Sequence, residues 1–457
     1  PMPESVKQFF ARFRNEDADR KNYFYFRETK DQTLNSWNPY FAFNQIKQEL
    51  KEDAKTRDVT ESKSNDIANN DYLFYANGQV NKYALAYDVS TEFFKRATTL
   101  EYVNFLELNY NLNLIKSVNL DAEFRSKCGA QWGDIVAQIA DVPTQYLEHL
   151  VDYQSTVFHF LSEQVVDISL VLYSDRKVCG VWPLFLDLNN KESIKSINDQ
   201  FGGIVIPPLF IDSIPKKTER RIIKACNRFL DSLARRIGCE VLRTSELSGS
   251  GYVSQWHQIA LENDAYLDRV NYELYVDLTL SIEEIRKAIR KSYKPLVSSG
   301  LKNWEVTVLD QYCEKTWNRF RELHKSVSGG ITRPIESWDI QHNAIKCGNA
   351  FLVYVSGGDG EMVGGGLFDM SGNEGNYSVA TYKKSLSDQP LGHLVQYHAL
   401  LKLKEKGRSR YYIGSRFYRE ELPVVTEKQV NISSFKAGFS TFVLPRVTLK
   451  FTIQEQH

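Results

Sequence analysis

GNYSVATYKKSLSDQPLGHLVQYHALLKLKEKGRSRYYIGS, residues 375–415, places a strand, a loop, a helix and a second strand in succession. GNYSVATY has the β-branched and aromatic content of a strand. PLGHLVQYHALLKLKEKG is a helix that Gly407 stops. RYYIGS is the next strand. Between the first strand and the helix runs Ser387-Asp388-Gln389-Pro390-Leu391-Gly392-His393-Leu394. A helix start offers free backbone N–H groups, and its dipole favours an anion, so this turn is a candidate phosphate site. The ordinary alternative is a plain strand–helix loop.

Working outward, AFLVYVSGG and EMVGGGLFDM form a hairpin around Gly357–Gly360. Gln311 to Val327 and Pro334 to Lys346 read as amphipathic helices. SIEEIRKAIRKSYKPLVSSG reads as one helix, with Ser281 as N-cap and Glu284 completing a capping box. NYELYVDLTL is the strand before it. The preceding half has a related order. DISLVLYSDRKVCGVWPLFL reads as two strands turning at Ser174–Asp175. FGGIVIPPLF suits a loop over a site. Ile222, Ile223, Cys226, Phe229, Leu230, Leu233 and Ile237 then recur at helical spacing, with Gly238 as the stop. CEVLRTSEL is the following strand. The expectation is an α/β (α+β) chain of two related units, 86–255 and 256–457, behind an N-terminal extension, 1–85. The charged run Gln48 to Asn70 lacks large apolar residues and reads as a solvated helix or linker.

The 457 residues are 42% hydrophobic and 25% charged, which suffices for two or three globular domains. Lys+Arg and Asp+Glu both total 57, so the chain is no nucleic-acid-coating protein, although a local basic patch remains open. No apolar run reaches membrane-spanning length, and no signal-peptide core is visible. Pro1 ahead of Met2 reads as the remnant of a cleaved tag. The six cysteines form no CxxC pair and suit reduced thiols in a reducing, cytoplasmic setting. No HExxH, Walker loop or nucleophile elbow is present, and no metal site is expected.

Several residues are candidates for chemistry. Arg286, Lys287, Arg290, Lys291 and Lys294 put five cations within nine residues, either a solvated face or a phosphate-facing surface. Tyr293 lies among them. GGITRPIESW carries Arg333 and Trp338, which would clamp a sugar or an anion. The alternative is a helix start with Pro334 at its first position. His324, His393 and His398 are possible bases, His393 being the best placed. Asp369 is another. Tyr377 and Tyr382 on the strand before the turn, and Tyr412, Arg416 and Tyr418 after the helix, lie where an acceptor would pass.

NISSFKAGF, residues 431–439, completes a pattern. With Ile285-Arg286-Lys287, Ile289-Arg290-Lys291-Ser292-Tyr293-Lys294, and Gly407 leading to Tyr412-Ile413-Gly414, it resembles the Fem family of transferases and its FemAB-like relatives in the GNAT superfamily. The resemblance runs from about residue 150 to 445 and does not include 1–85. It implies tandem GNAT-like subdomains with mixed central sheets. It implies transfer of an acyl or aminoacyl group onto an amine of a small-molecule, nucleotide-linked or lipid-linked sugar precursor in bacterial surface-polysaccharide synthesis, in the cytoplasm or at the inner face of the membrane. Lys436 would then stabilise the oxyanion of the tetrahedral intermediate. Gln389 and Gly392 match the turn that holds the coenzyme A pyrophosphate, with Leu394 where a small residue is usual, and His393, between Gly392 and Leu394, is a further cofactor-binding candidate. Acyl-coenzyme A is the expected donor. Aminoacyl-tRNA is the alternative, and a non-catalytic glycan- or nucleotide-binding module is the rival of another class. A splayed-strand cleft beside Gln389 would fit the thioester, and a long positive groove would fit RNA.

Overall fold

The computed structural model describes residues 114–453, apart from 129–130, 162–164, 188–192, 200–201, 248–252 and 420–424. The expectations for 1–85 and for the run Gln48 to Asn70 lie outside the described residues.

The first unit opens with three short helices, α1 (Leu114–Ser117), α2 (Arg125–Cys128) and α3 (Gln131–Val136), and one long one, α4 (Glu148–Leu161). Its strands are short: β1 (Ala122–Phe124), β2 (Val165–Asp167), β3 (Leu170–Ser174), β4 (Lys177–Trp182), β5 (Phe185–Asp187), β6 (Ser193–Lys195), β7 (Ile197–Asp199), β8 (Gly202–Ile204) and β9 (Leu209–Phe210). They form antiparallel sheets in the orders β1-β3-β4-β9, β2-β5-β6 and β7-β8. The β3–β4 hairpin turns at Asp175 and Arg176, both at positive φ, one residue later than Ser174–Asp175, because Ser174 still pairs with Lys177. Two left-handed residues make the tight turn that matches strand twist. GGIVIPPLF is not a free loop: it supplies β8 and β9, and the Pro207 carbonyl accepts the Tyr146 hydroxyl at 2.6 Å. Helix α5 (Lys216–Arg236) buries the expected stripe, and Gly238 ends it at φ 69°.

β10 (Val241–Ser245) leaves this unit and joins the second. Beyond α6 (Gln255–Glu262) come β11 (Tyr266–Asp277), α7 (Ile282–Ala288), α8 (Tyr293–Asn303), β12 (Glu305–Leu309), α9 (Glu314–Ser328) and α10 (Ile335–Lys346). They are followed by β13 (Ala350–Ser356), β14 (Met362–Met370), β15 (Glu374–Tyr382), α11 (Leu391–Glu405), β16 (Arg410–Arg416), α12 (Glu427–Ala437) and β17 (Phe442–Thr452). The eight-stranded sheet runs β10-β17-β11-β16-β15-β14-β13-β12, so the last strand stitches the units together.

Where one helix is expected from Ser281, two form. The capping box of Ser281 and Glu284 is present, but Ile289 is extended at ψ 136° and a new helix begins at Tyr293. Pro295 explains the break. It lacks an N–H and its ring clashes with the carbonyl four residues back, so a helix can hold it only in a first turn. In exchange the Arg290 N–H donates to the Gly438 carbonyl at 2.8 Å, which anchors the turn after α12. Leu394, large where a small residue is usual, points into the core. Gly300 of α8 makes room for it, since a Cβ there would lie 3.1 Å from the Leu394 methyls.

Candidate functional site

Within the large sheet, β15 and β16 form the parallel pair, and they pair for three residues only: Glu374 with Arg410, Gly375 with Tyr411, Asn376 with Tyr412. Past these the strands part. On the other side of β16 the ladder to β11 skips Ile413, so Leu274 faces Gly414 and Tyr275 faces Tyr412. A bulge re-aims side chains. Gly414 sits at φ 126°, and a Cβ on it would lie 2.7 Å from the Nζ of Lys436. Glycine therefore both adopts the backbone angle and admits the ammonium. Lys436 comes from the last turn of α12. Its Nζ also stands 5.2 Å from the ring centre of Tyr377 on β15, so the cation occupies the fork between the parting strands. Burial pushes this ammonium below the ordinary lysine range, and the Glu273 carboxylate opposes that shift. The Lys436 side chain forms no hydrogen bond or ion pair among the described residues.

Helix α11 starts at the end of the loop that follows β15. Its N-cap is Pro390, which offers no capping side chain, and the amides of Leu391, Gly392 and His393 donate to no described residue. Gly392 lies under the ring of Phe435 of α12, 3.1 Å from where a Cβ would be. His393 is boxed by Tyr293, Phe435 and Phe439, at ring separations of 4.4, 5.0 and 6.0 Å. That burial pushes its imidazole down to about 4, so it is neutral at pH 7 and a weak base. Gln389 is held by Asp388 at 3.0 Å. Tyr293 packs across Gly438 and donates to the Phe435 carbonyl at 3.3 Å. Arg290 donates to the Tyr293 hydroxyl and the Ser434 carbonyl, both at 2.9 Å. These two substrate-binding candidates thus spend their polar groups on holding the Lys436 turn. Arg286 and Lys291 remain exposed, and Lys294 is half-buried. Tyr382 shares a hydroxyl contact of 3.2 Å with Tyr377. Arg416 donates to the Val430 carbonyl and to Ser433, which seats α12 on β16.

Two candidates lie elsewhere, where α4 meets the second unit. Asp369 on β14 is fully buried, accepts a hydrogen bond from Ser378, and has His149 Nε2 at 3.2 Å. Arg333 stacks on Trp338, 3.6 Å from its ring centre, and donates from Nη1 to the Tyr153 hydroxyl at 2.8 Å. Its Nε and Nη2, buried, have no hydrogen-bond partner among the described residues. These two atoms form one edge of the guanidinium, the fork that grips a carboxylate or phosphate bidentately. A cavity of about 160 Å³ opens there, lined also by Arg321, His324 and Lys325.

Tyr412 faces the opposite side of the sheet from Tyr411. Its hydroxyl donates to Glu273 at 2.5 Å, Ser415 donates to the same oxygen at 3.0 Å, and Arg446 pairs with the other at 3.1 Å. A second cavity, about 140 Å³, lies here between the units, lined by Glu246, His257, Glu273, Glu374, Tyr412 and Arg446 among others. Sequence reading missed Glu273, Glu246, His257, His149 and Tyr153. Glu273 had a signal, a carboxylate amid the apolar run of a strand. The others come from a distant part of the chain and carried none. All six cysteines are free, and no three metal-ligating side chains are grouped among the described residues. Among those residues no helix is long and apolar enough to cross a membrane.

No protein-family model matches the sequence, and no curated protein matches it. Among solved structures the chain resembles FemX, with 12% identity, a TM-score of 0.49, and coverage of 68% of this chain and 96% of that one. It also resembles the C-terminal domain of a putative lysylphosphatidylglycerol synthetase from Agrobacterium fabrum, at 13% identity and TM-score 0.46, covering 71% and 91%. A tandem GNAT protein from the clavulanic acid biosynthesis pathway follows at 11% and 0.38, covering 71% and 96%. The likeness is to FemAB-like and tandem GNAT proteins in the course of the chain. Similarity this distant carries no inference about chemistry, which rests on the geometry.

Proposed function

We propose that the protein is an N-acyltransferase that forms an amide on the amine of an amino sugar or of a nucleotide- or lipid-linked glycan precursor. The observation that carries this reading is Lys436, a partly buried ammonium that forms no ion pair among the described residues, at the fork of two parting parallel strands. An acyl carbonyl needs a stabiliser where its oxygen becomes negative, and a fixed cation in a dry site is worth about 10²–10³ in rate. The N-terminus of α11 lies beside the fork with unpartnered amides, which suits the phosphates of coenzyme A. The acceptor nitrogen attacks the acyl carbon, the thioester C–S bond breaks, and the thiol leaves with a proton. The buried edge of Arg333 suits the carboxylate or phosphate of such a precursor.

Arg286, Lys287 and Lys291 are exposed on the surface next to Arg290 and suit a longer polyanion, which favours aminoacyl-tRNA as the second reading of the donor. Calorimetric titration of coenzyme A into the protein separates the two. Saturable binding that weakens at least tenfold in Gly392→Asp, where a carboxylate would meet the phosphates, supports the thioester donor. Absence of binding at millimolar ligand would remove it.

A further inference from the structure

The cavity between the units is adjacent to the fork. Tyr412 lines it, while Gly414, two residues on, touches Lys436. Three carboxylates reach it, and two of them already have cations. Glu273 pairs with Arg446 at 3.1 Å, and Glu374 with Arg410 at 2.7 Å. Glu246 has none among the described residues. Its carboxylate accepts from the Ser254 hydroxyl and amide, both uncharged. The imidazole of His257 stands with its Nδ1 3.7 Å away, and burial lowers its affinity for a proton. His257 is itself 9% exposed, lines the same cavity, and makes no side-chain hydrogen bond among the described residues. A buried carboxylate without a counter-charge is costly. The arrangement therefore favours an arriving cation, with a neutral imidazole beside it to share its hydrogen bonds.

We infer that this cavity is the amine site: it takes a primary ammonium group, held by Glu246 and His257. Glu246 accepts the proton that must leave before the nitrogen can attack. The step balances as ammonium plus carboxylate giving neutral amine plus carboxylic acid. The amine then forms the C–N bond at the fork, and the displaced thiol keeps the second proton. The inference rests on the acyl-transfer reading and adds the acceptor's recognised group and a base supplied by the first unit.

Saturation-transfer NMR on the full chain, without donor, tests it with glucosamine against N-acetylglucosamine. Glucosamine should bind, N-acetylglucosamine should not, and Glu246→Gln should weaken glucosamine at least tenfold. Leu444→Trp, which fills the cavity while leaving Glu246 and His257 in place, should do the same. Lys436→Ala should leave amine binding unchanged. Because Glu246 also holds the Ser254 cap of α6, each variant's melting temperature is recorded beside its binding. If both sugars bind alike, if neither binds, or if folded Glu246→Gln and Leu444→Trp bind as wild type does, the amine site is overturned. Coenzyme A titration of the same variants reads the donor site separately, so failure of one claim is distinct from failure of the other.

Discussion

Lys436 and Gly414 act as one unit at the scale of single residues. The ammonium lies against strand backbone because glycine has no Cβ there, at φ 126°. Alanine at this position has to adopt an angle L-residues avoid, at a cost of order 1–3 kcal/mol. The tip of Lys436 would also have to shift. Gly414→Ala is therefore expected to lower the melting temperature and turnover together, read by thermal unfolding and an acyl-transfer assay. The protonated form of Lys436 is the stabilising one, and burial moves its pKa below the ordinary lysine range. Activity that needs this cation is lost as pH rises through the lowered value, so the alkaline limb of kcat should fall below that of an exposed lysine. Lys436→Arg, charged at all accessible pH, should lack the limb even if its maximum is reduced. An unshifted limb, or one retained in Lys436→Arg, would assign the titration to another group.

Helix α12 carries the site at the scale of elements. Its capping box joins Thr426 and Gln429, and Arg416, Arg290 and Tyr293 fasten its far end. Thr426→Ala removes the cap and should cost about 1 kcal/mol in urea unfolding. Turnover should fall as well, because the helix positions Lys436. Much of this layer was legible in the sequence. Capping residues, glycine stops and the strand–helix–strand order act locally, so Ser281, Gly238, Gly407 and residues 375–415 were read in place. The motif around Lys436 was legible by resemblance. Less legible were the break at Ile289 and the uses of Arg290 and Tyr293. A basic run looks the same whether it faces a phosphate or ties down a neighbouring turn. Only the tertiary partner, here Ser434 and Phe435, distinguishes them. Glu246 and His257 were invisible for the same reason, since their cavity is closed by β17 from far along the chain.

A charged clasp joins the two units at the scale of the whole molecule. Arg410 pairs with the buried Glu374 at 2.7 Å and reaches across to Asp141 of the first unit at 2.5 Å, while Asn373 donates to Asp141 at 2.8 Å. The Asp369–His149 and Arg333–Tyr153 contacts and the β10–β17 pairing cross the same junction. Removing the guanidinium leaves Glu374 buried and unpaired, so Arg410→Met should cost about 3–5 kcal/mol in urea unfolding. Asp141→Asn should cost far less, since that carboxylate is 48% exposed. Equal losses would mean that the clasp is not organised around Glu374. The fork and the inter-unit cavity converge on one strand, β16, which is why the junction matters for chemistry. The most direct measurement is thiol release from acetyl-coenzyme A with glucosamine as acceptor, comparing wild type with Lys436→Ala at saturating donor. The account predicts steady release by the wild type and a fall of about 10²–10³ in the variant with donor affinity unchanged; equal release by both proteins, or none by the wild type, would contradict it.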